Sequence, residues 1–200
     1  YLWSVVCARD LGLITASDAR RRLTRTLTTL AAMHRHAPSG MFDNWYAADT
    51  GALLLTWPGT RKRLARFYSA VDNGWLAAAL LVVAAAEPGL ADRAGEIVAA
   101  MRFDAFADPR RHGILRGGFW TSATRRKHTL AAYGPITEPT RYTLHHYGLL
   151  NSEPRIASYV GIVLGQLDPQ HLTALDAPER TYRGRTVVVT CGGSMFEALS

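Results

Sequence analysis

Three carboxylates stand where loops hand over to helices, and they are the residues best placed to do chemistry. Asp72 begins an apolar run after Tyr68-Ser69-Ala70-Val71. Glu153 follows Tyr147-Gly148-Leu149-Leu150-Asn151-Ser152, and Glu197 follows Gly192-Gly193-Ser194-Met195-Phe196. An acid at a helix start feels the helix dipole and is aimed by the loop before it. Two such acids facing one cavity are the minimum for cleaving a glycosidic bond. One donates a proton, and the other acts as base or nucleophile. Plain N-capping explains the same positions: Asp72 is a good cap residue, Glu153 a weaker one.

Other chemistries lack their residues. The sequence has no Walker loop, no dinucleotide GxGxxG, no GxSxG elbow and no HExxH. Adjacent His145 and His146 would point apart on a regular element, which argues against a metal site. His34, His36, His112, His128 and His171 are scattered. Cys7 and Cys191 form neither a metal spacing nor a redox CxxC. Cys7 sits in an apolar run and reads as a core residue. A Cys7–Cys191 disulfide stays open for an exported protein.

Helices must position the acids. Tyr1 to Arg9 is apolar and helix-like, ending near Gly12. Thr15, three residues before Asp18, is a capping signal. Leu23, Leu27, Leu30, Ala31 and His34 then follow the spacing of one buried helix face. Arg20, Arg21, Arg22 and Arg25 fall mostly on the other face, and Pro38-Ser39-Gly40 stops the helix. Residues 41–68 have no helical period. Phe42, Trp45, Tyr46, Trp57, Phe67 and Tyr68 crowd there among Gly, Pro and Asp, which fits a ligand surface and a satellite hydrophobic cluster equally.

Ser69 or Asp72 caps the next expected helix, Asn73 to Ala86, which is apolar almost all round and so expected to be buried. Further helices are expected over Leu90 to Met101, over Glu153 to Leu164 with Ser152 as cap, and from Asp168-Pro169 to about Leu175. The loop from Arg102 to about Tyr147 is long enough to suggest function. Thr186 to Thr190 is the best strand signal. The fold class expected is all-α, with functional residues on loops at helix starts.

The 200 residues carry a formal net charge of +7. Mean hydropathy is −0.03 and the pI is near 9.8, which excludes a disordered chain and a membrane bundle. The longest apolar stretch, Trp75 to Ala86, is far short of the roughly 20 residues a bilayer span needs. Basic residues cluster at Arg20 to Arg25, Arg61 to Arg66 and Arg125 to Lys127. No cluster is interleaved with aromatics like a nucleic-acid stacking platform. Most of the charge reads as solvated surface, and no nucleic-acid partner is expected.

Three segments resemble the glycoamylase-like domain family, which includes the middle domain of cyclic β-1,2-glucan synthases and relatives of the endo-β-1,2-glucanases of glycoside hydrolase family 144. Residues 40–46, Gly-Met-Phe-Asp-Asn-Trp-Tyr, are similar to the family's GFFYNWYD. Residues 69–77, Ser-Ala-Val-Asp-Asn-Gly-Trp-Leu-Ala, are similar to STVDNGNLA. Residues 147–158, Tyr-Gly-Leu-Leu-Asn-Ser-Glu-Pro-Arg-Ile-Ala-Ser, are similar to YDLLASEARLAS. Residues 8–14 and 193–197 also look similar to family segments in the same order, so the resemblance covers nearly the whole chain.

The resemblance implies an (α/α)6 toroid with the sugar site in loops at one end. It implies Glu153 as general acid, Asp72 as base or substrate-orienting carboxylate, and Glu197 as a third, weaker candidate. Asn44, Trp45, Asn73, Trp75, Trp120 and Tyr147 would bind substrate, because sugar C–H faces stack on aromatics and hydroxyls pair with amides. An oligo- or polysaccharide is the implied partner, with no metal and no organic cofactor. Location leans extracytoplasmic. Departures fall in the sugar-contacting loops: Asp43, Ala47, Gly148, Pro154 and Cys191-Gly192-Gly193 replace family residues.

The expected function is therefore a glycoside hydrolase or transglycosylase cleaving a bacterial, β-glucan-like glycan. The alternative is a non-catalytic glycan-binding module of the same fold. A twelve-helix ring needs well over about 250 residues by ordinary helix and loop lengths. Residues 1–200 are thus expected to be one partial barrel domain, with Val5, Val6 and Phe196 near surface that further helices would cover.

Overall fold

The computed structural model of the chain describes residues 1–121, 129–130 and 140–189. They fall into two compact units. The first holds Tyr1–Arg66 and Trp75–Arg102, the second Phe67–Gly74 and the chain from Phe103 onward.

In the first unit, α1 (Leu2–Asp10) buries Leu2, Val5 and Val6 on one face. Val5 and Val6 are therefore covered, contrary to expectation, and Phe196 lies outside the described residues. Cys7, one step round the helix from Val6, is exposed rather than in the core; Cys191 lies outside the described residues. Helix α2 (Ala16–Ala32) starts as expected, with Thr15 Oγ1 accepting the Asp18 N–H at 3.1 Å. Its buried stripe is Ala19, Leu23, Leu27 and Leu30. Burying each leucine stabilises by roughly 1.5–3 kcal/mol. The stripe stops there: Met33 turns extended, and Ala31 and His34 are exposed.

Residues 34–66 are not an irregular loop but three consecutive hairpin-like turns. The His36, Ala47 and Trp57 N–H groups donate to the carbonyls of Met41, Ala52 and Lys62 at 2.8, 2.8 and 2.9 Å. Bridges Arg35–Phe42, Tyr46–Leu53 and Thr56–Arg63 close them. Each turn has a left-handed glycine, Gly40, Gly51 and Gly59, at φ 65°, 70° and 72°, a conformation that excludes most other residues. Asp43 is buried, and its carboxylate accepts from Nε and Nη2 of Arg66 at 2.8 and 2.9 Å.

Helix α3 (Ala70–Ala86) contributes its first turn to the second unit and the remainder to the first. It begins before Asn73 because Ser69 Oγ accepts the Asp72 N–H at 3.3 Å. It buries Ala77, Ala78, Leu80 and Val83 but leaves Trp75 42% exposed, so it is not covered all round. A short 3-10 turn (Pro88–Leu90) leads into α4 (Ala91–Ala99), which buries Ala94, Ile97 and Val98.

The second unit corrects the all-α expectation. Strands β1 (Phe67–Ser69), β2 (Gly118–Trp120), β3 (Thr129–Leu130) and β4 (Arg141–Thr143) form an antiparallel sheet in the order β1-β2-β4-β3. Its register aligns Tyr68 with Phe119 and Phe119 with Tyr142. Across the strands these buried rings pack with Tyr68 stacked on Phe119 at 5.0 Å and Tyr142 tilted against Phe119 at 5.6 Å between centroids. Such pairs add about 0.5–1.5 kcal/mol each beyond area burial. Strands of two or three residues show no readable alternation, which is why the sequence hides them.

Two 3-10 turns, Phe103–Phe106 and Pro109–Arg111, occupy part of the expected long loop. Helix α5 (Arg155–Val163) begins two residues later than expected. Ser152 does not cap it; its hydroxyl donates back to the Leu149 carbonyl at 2.8 Å. Asp168 caps the 3-10 helix Pro169–Ala174, accepting the Gln170 N–H at 2.8 Å. The strand expected near Thr186 is β6 (Arg185–Val188), paired with β5 (Glu179–Tyr182) through the left-handed pair Arg183-Gly184.

Candidate active site

Asp72 and Glu153 belong to the same unit, each beside the start of a helix. Asp72 lies in the first turn of α3, directly after β1, and its side chain is exposed. The Asp72 N–H donates to Ser69 Oγ at 3.3 Å, so Ser69 supplies the cap oxygen for this N–H. The β1–α3 junction is pinned by the Ala70 N–H on the Gly117 carbonyl at 3.1 Å. Glu153 is exposed in the turn before α5, its carbonyl accepting the Ile156 N–H at 3.2 Å.

A glycine joins the two helix starts. A Cβ added at Gly74 would sit 3.0 Å from both the backbone N and the Cα of Ala157. The first turns of α3 and α5 therefore touch where Gly74 has no side chain. This is the tertiary reason for a glycine two residues after Asp72.

Tyr147 ties the acids together electrostatically. Its backbone N–H is held by the Leu115 carbonyl at 2.8 Å, and its ring meets His145 edge-on at 5.6 Å. Burial first, then the negative charges of Asp72 and of Glu153, push its phenol above the ordinary tyrosine value, against a hydrogen bond with Ser69 that lowers it. The group thus remains an O–H at neutral pH. Chemically, the surroundings offer two carboxylates for proton transfer and one phenol that donates without ionising.

The other expected contacts are placed separately. In the second unit, Trp120 on β2 packs against Phe67 at 4.5 Å and is half-buried. Asn73 is buried, its amide nitrogen donating to the Ser69 carbonyl at 2.9 Å, so it braces the first turn of α3. In the first unit, Trp45 and Trp57 meet edge to face at 5.2 Å and stay 42% and 44% exposed, Asn44 is half-buried, and Trp75 packs on Trp3 at 6.3 Å. Trp57 is one of the aromatics crowded in residues 41–68, and the turn repeat brings it to Trp45. Glu197 lies outside the described residues.

The two histidines take different partners. His145 faces Gly117 and the Tyr147 ring, while His146 Nε2 hydrogen-bonds to Asp108 Oδ2 at 2.8 Å. Among the described residues, no group of three His, Cys, Asp or Glu side chains is placed to hold a metal. Asp108 also binds Arg116, 1% exposed, at 2.6 Å. Burial opposes ionisation of Asp108, but His146, the Arg110 N–H and the Arg116 charge hold its carboxyl below the usual range. No described helix is long and apolar enough to cross a membrane.

Against known proteins, the model of the family DUF3131, whose description is a protein of unknown function, matches residues 1–157. No curated protein matches the chain. Among solved structures, the fold is similar to that of a "putative glucoamylase" from Bacteroides caccae ATCC 43185, with a TM-score of 0.61 and 18% identity. The match covers 97% of this chain and 45% of that one, so this chain spans less than half of that protein's length. The likeness supports a glucoamylase-like helical fold, here carrying small sheets.

Proposed function

The chain belongs to the DUF3131 family, and we propose that it is the carbohydrate-active part of a glycoside hydrolase or transglycosylase cleaving a bacterial, β-glucan-like glycan. The observation that carries this reading is the joining of two acid-bearing helix starts at Gly74 and Ala157, with Tyr147 influenced by both carboxylates. Similarity of fold to the Bacteroides caccae protein supports it.

In this reading Glu153 protonates the leaving oxygen and Asp72 activates water or orients the sugar. Glu197 is the third candidate acid. Tyr147 donates to a sugar oxygen or to a carboxylate, and Trp120 offers an aromatic face. Asn44, Trp45 and Trp75 are the proposed sugar contacts of the first unit, and Asn73 supports Asp72. The reaction needs only water or a second sugar as acceptor. The closer kinship with β-1,2-glucan enzymes, a single partial-barrel domain over residues 1–200, and an extracytoplasmic location are parts of the same proposal.

Digestion of a glycan panel with product analysis tests the reading. Glu153→Gln should abolish cleavage while circular dichroism stays unchanged; retained cleavage removes Glu153 from the mechanism. Saturable glycan binding with no reducing ends released over long incubation would instead assign a binding module.

A further inference from the structure

The arginine run that reads as solvated surface in the sequence lines a cavity. Helix α2 and the second hairpin-like turn line a solvent-open cleft of about 650 Å³, within the roughly 300–1,000 Å³ usual for ligand pockets. The wall is built closely: a Cβ at Gly51 would lie 2.9 Å from Thr29 Cγ2 and 3.3 Å from Met33 Cγ.

The four arginines of the run do different things. Arg20 lies against Gly89, while Arg21 and Arg22 are both ion-paired to Asp18. Arg25 faces the cavity, and its guanidinium has no hydrogen-bond or ion-pair partner among the described residues. Asp49 lines the same cavity, and its carboxylate is also without a partner among the described residues. The hydroxyls of Thr26 and Thr29 donate to the Arg22 and Arg25 carbonyls at 3.0 and 3.1 Å, which leaves their lone pairs as acceptors. Met33 and Tyr46 supply an apolar surface.

A ligand that satisfies this lining carries an anionic group for the Arg25 fork, hydroxyl donors for Asp49, Thr26 and Thr29, and a C–H face for Tyr46 and Met33. We propose that this cavity binds an acidic sugar residue, a carboxylate-bearing saccharide. The saccharide part rests on the carbohydrate function proposed above; the negative charge rests on Arg25.

Calorimetry on the full chain bearing Glu153→Gln tests the proposal with three probes: a glucuronate-containing oligosaccharide, its neutral glucose counterpart and inorganic phosphate. The acidic oligosaccharide should bind saturably and at least tenfold more tightly than either other probe. Arg25→Gln, at an exposed position, should weaken it at least tenfold, and Asp49→Asn threefold or more. Equal affinity for the neutral sugar, or indifference to Arg25→Gln, overturns the site. Phosphate binding as tightly as the oligosaccharide overturns the saccharide assignment. Panel cleavage by the unsubstituted chain is read separately, so the site and the catalytic reading can fail independently.

Discussion

Gly74 packs against the backbone of Ala157 so closely that a single methyl group would lie 3.0 Å from the Ala157 nitrogen and Cα. Backbone cannot give way like a flexible side chain. Gly74→Ala should therefore destabilise the chain by about 1–3 kcal/mol, the usual cost of overpacking, measured by urea unfolding. Ala157→Gly in the same chain should restore little, because the backbone contacts stay. An unchanged midpoint would show that α3 and α5 part without cost.

Asp108, Arg116 and His146 form the buried ionic cluster of the second unit. Asp108→Asn removes the buried carboxylate that Arg116 pairs with at 2.6 Å and should cost about 3–5 kcal/mol. The folded Asp108 carboxyl titrates below its ordinary value, so its stabilisation is complete above about pH 4 and lost as pH falls through the folded value. Stability measured from pH 5 to pH 2 should lose the Asp108 contribution only below about pH 4 in the unsubstituted chain, and that acid loss should be smaller in Asp108→Asn.

His171 gives a second pH dependence, at milder acidity. It is buried, and its Nε2 is hydrogen-bonded to Ser158 Oγ at 2.8 Å. Burial lowers its pKa, with the Gly113 backbone opposing. The unfolded chain therefore takes up a proton below about pH 6.5 that the folded chain refuses. Stability should decline as pH falls from that point towards the folded value. His171→Gln should flatten that slope, whatever it does to stability at pH 8; an unaltered slope would assign the proton uptake elsewhere.

The three turn glycines should differ in cost. Gly59 has open space around it, so Gly59→Ala meets only the left-handed backbone penalty, about 1–2 kcal/mol. At Gly40 the same penalty is joined by collision with the Ala100 carbonyl. Gly40→Ala should thus be clearly the more destabilising in thermal melts, with Gly51→Ala between them. Equal losses would mean that the first turn does not rest on Ala100.

How much was legible follows the range of the interaction. Helix α2 was readable from Thr15 to Leu30 because a cap and a 3.6-residue stripe are written in neighbouring residues. Asp72 and Glu153 stood out for the same reason: each is marked by its own short segment. The sheet was not readable, since Tyr68, Phe119 and Tyr142 come from strands of three residues and meet only through pairing distant in sequence. The repeat in residues 34–66 was hidden because turns with different residues make the same hydrogen bonds.

The sequence by itself determined the principal helices, the cap at Thr15, the helix opening at Asp168-Pro169, and the two acids beside helix starts. Tertiary structure alone decided that Ser69 rather than Asp72 supplies the α3 cap, that Gly74 meets Ala157, and that Arg25 and Asp49 line one cavity. Helical order is set by residues within one turn of each other. A site is set by which backbones approach, and that depends on packing summed over the unit.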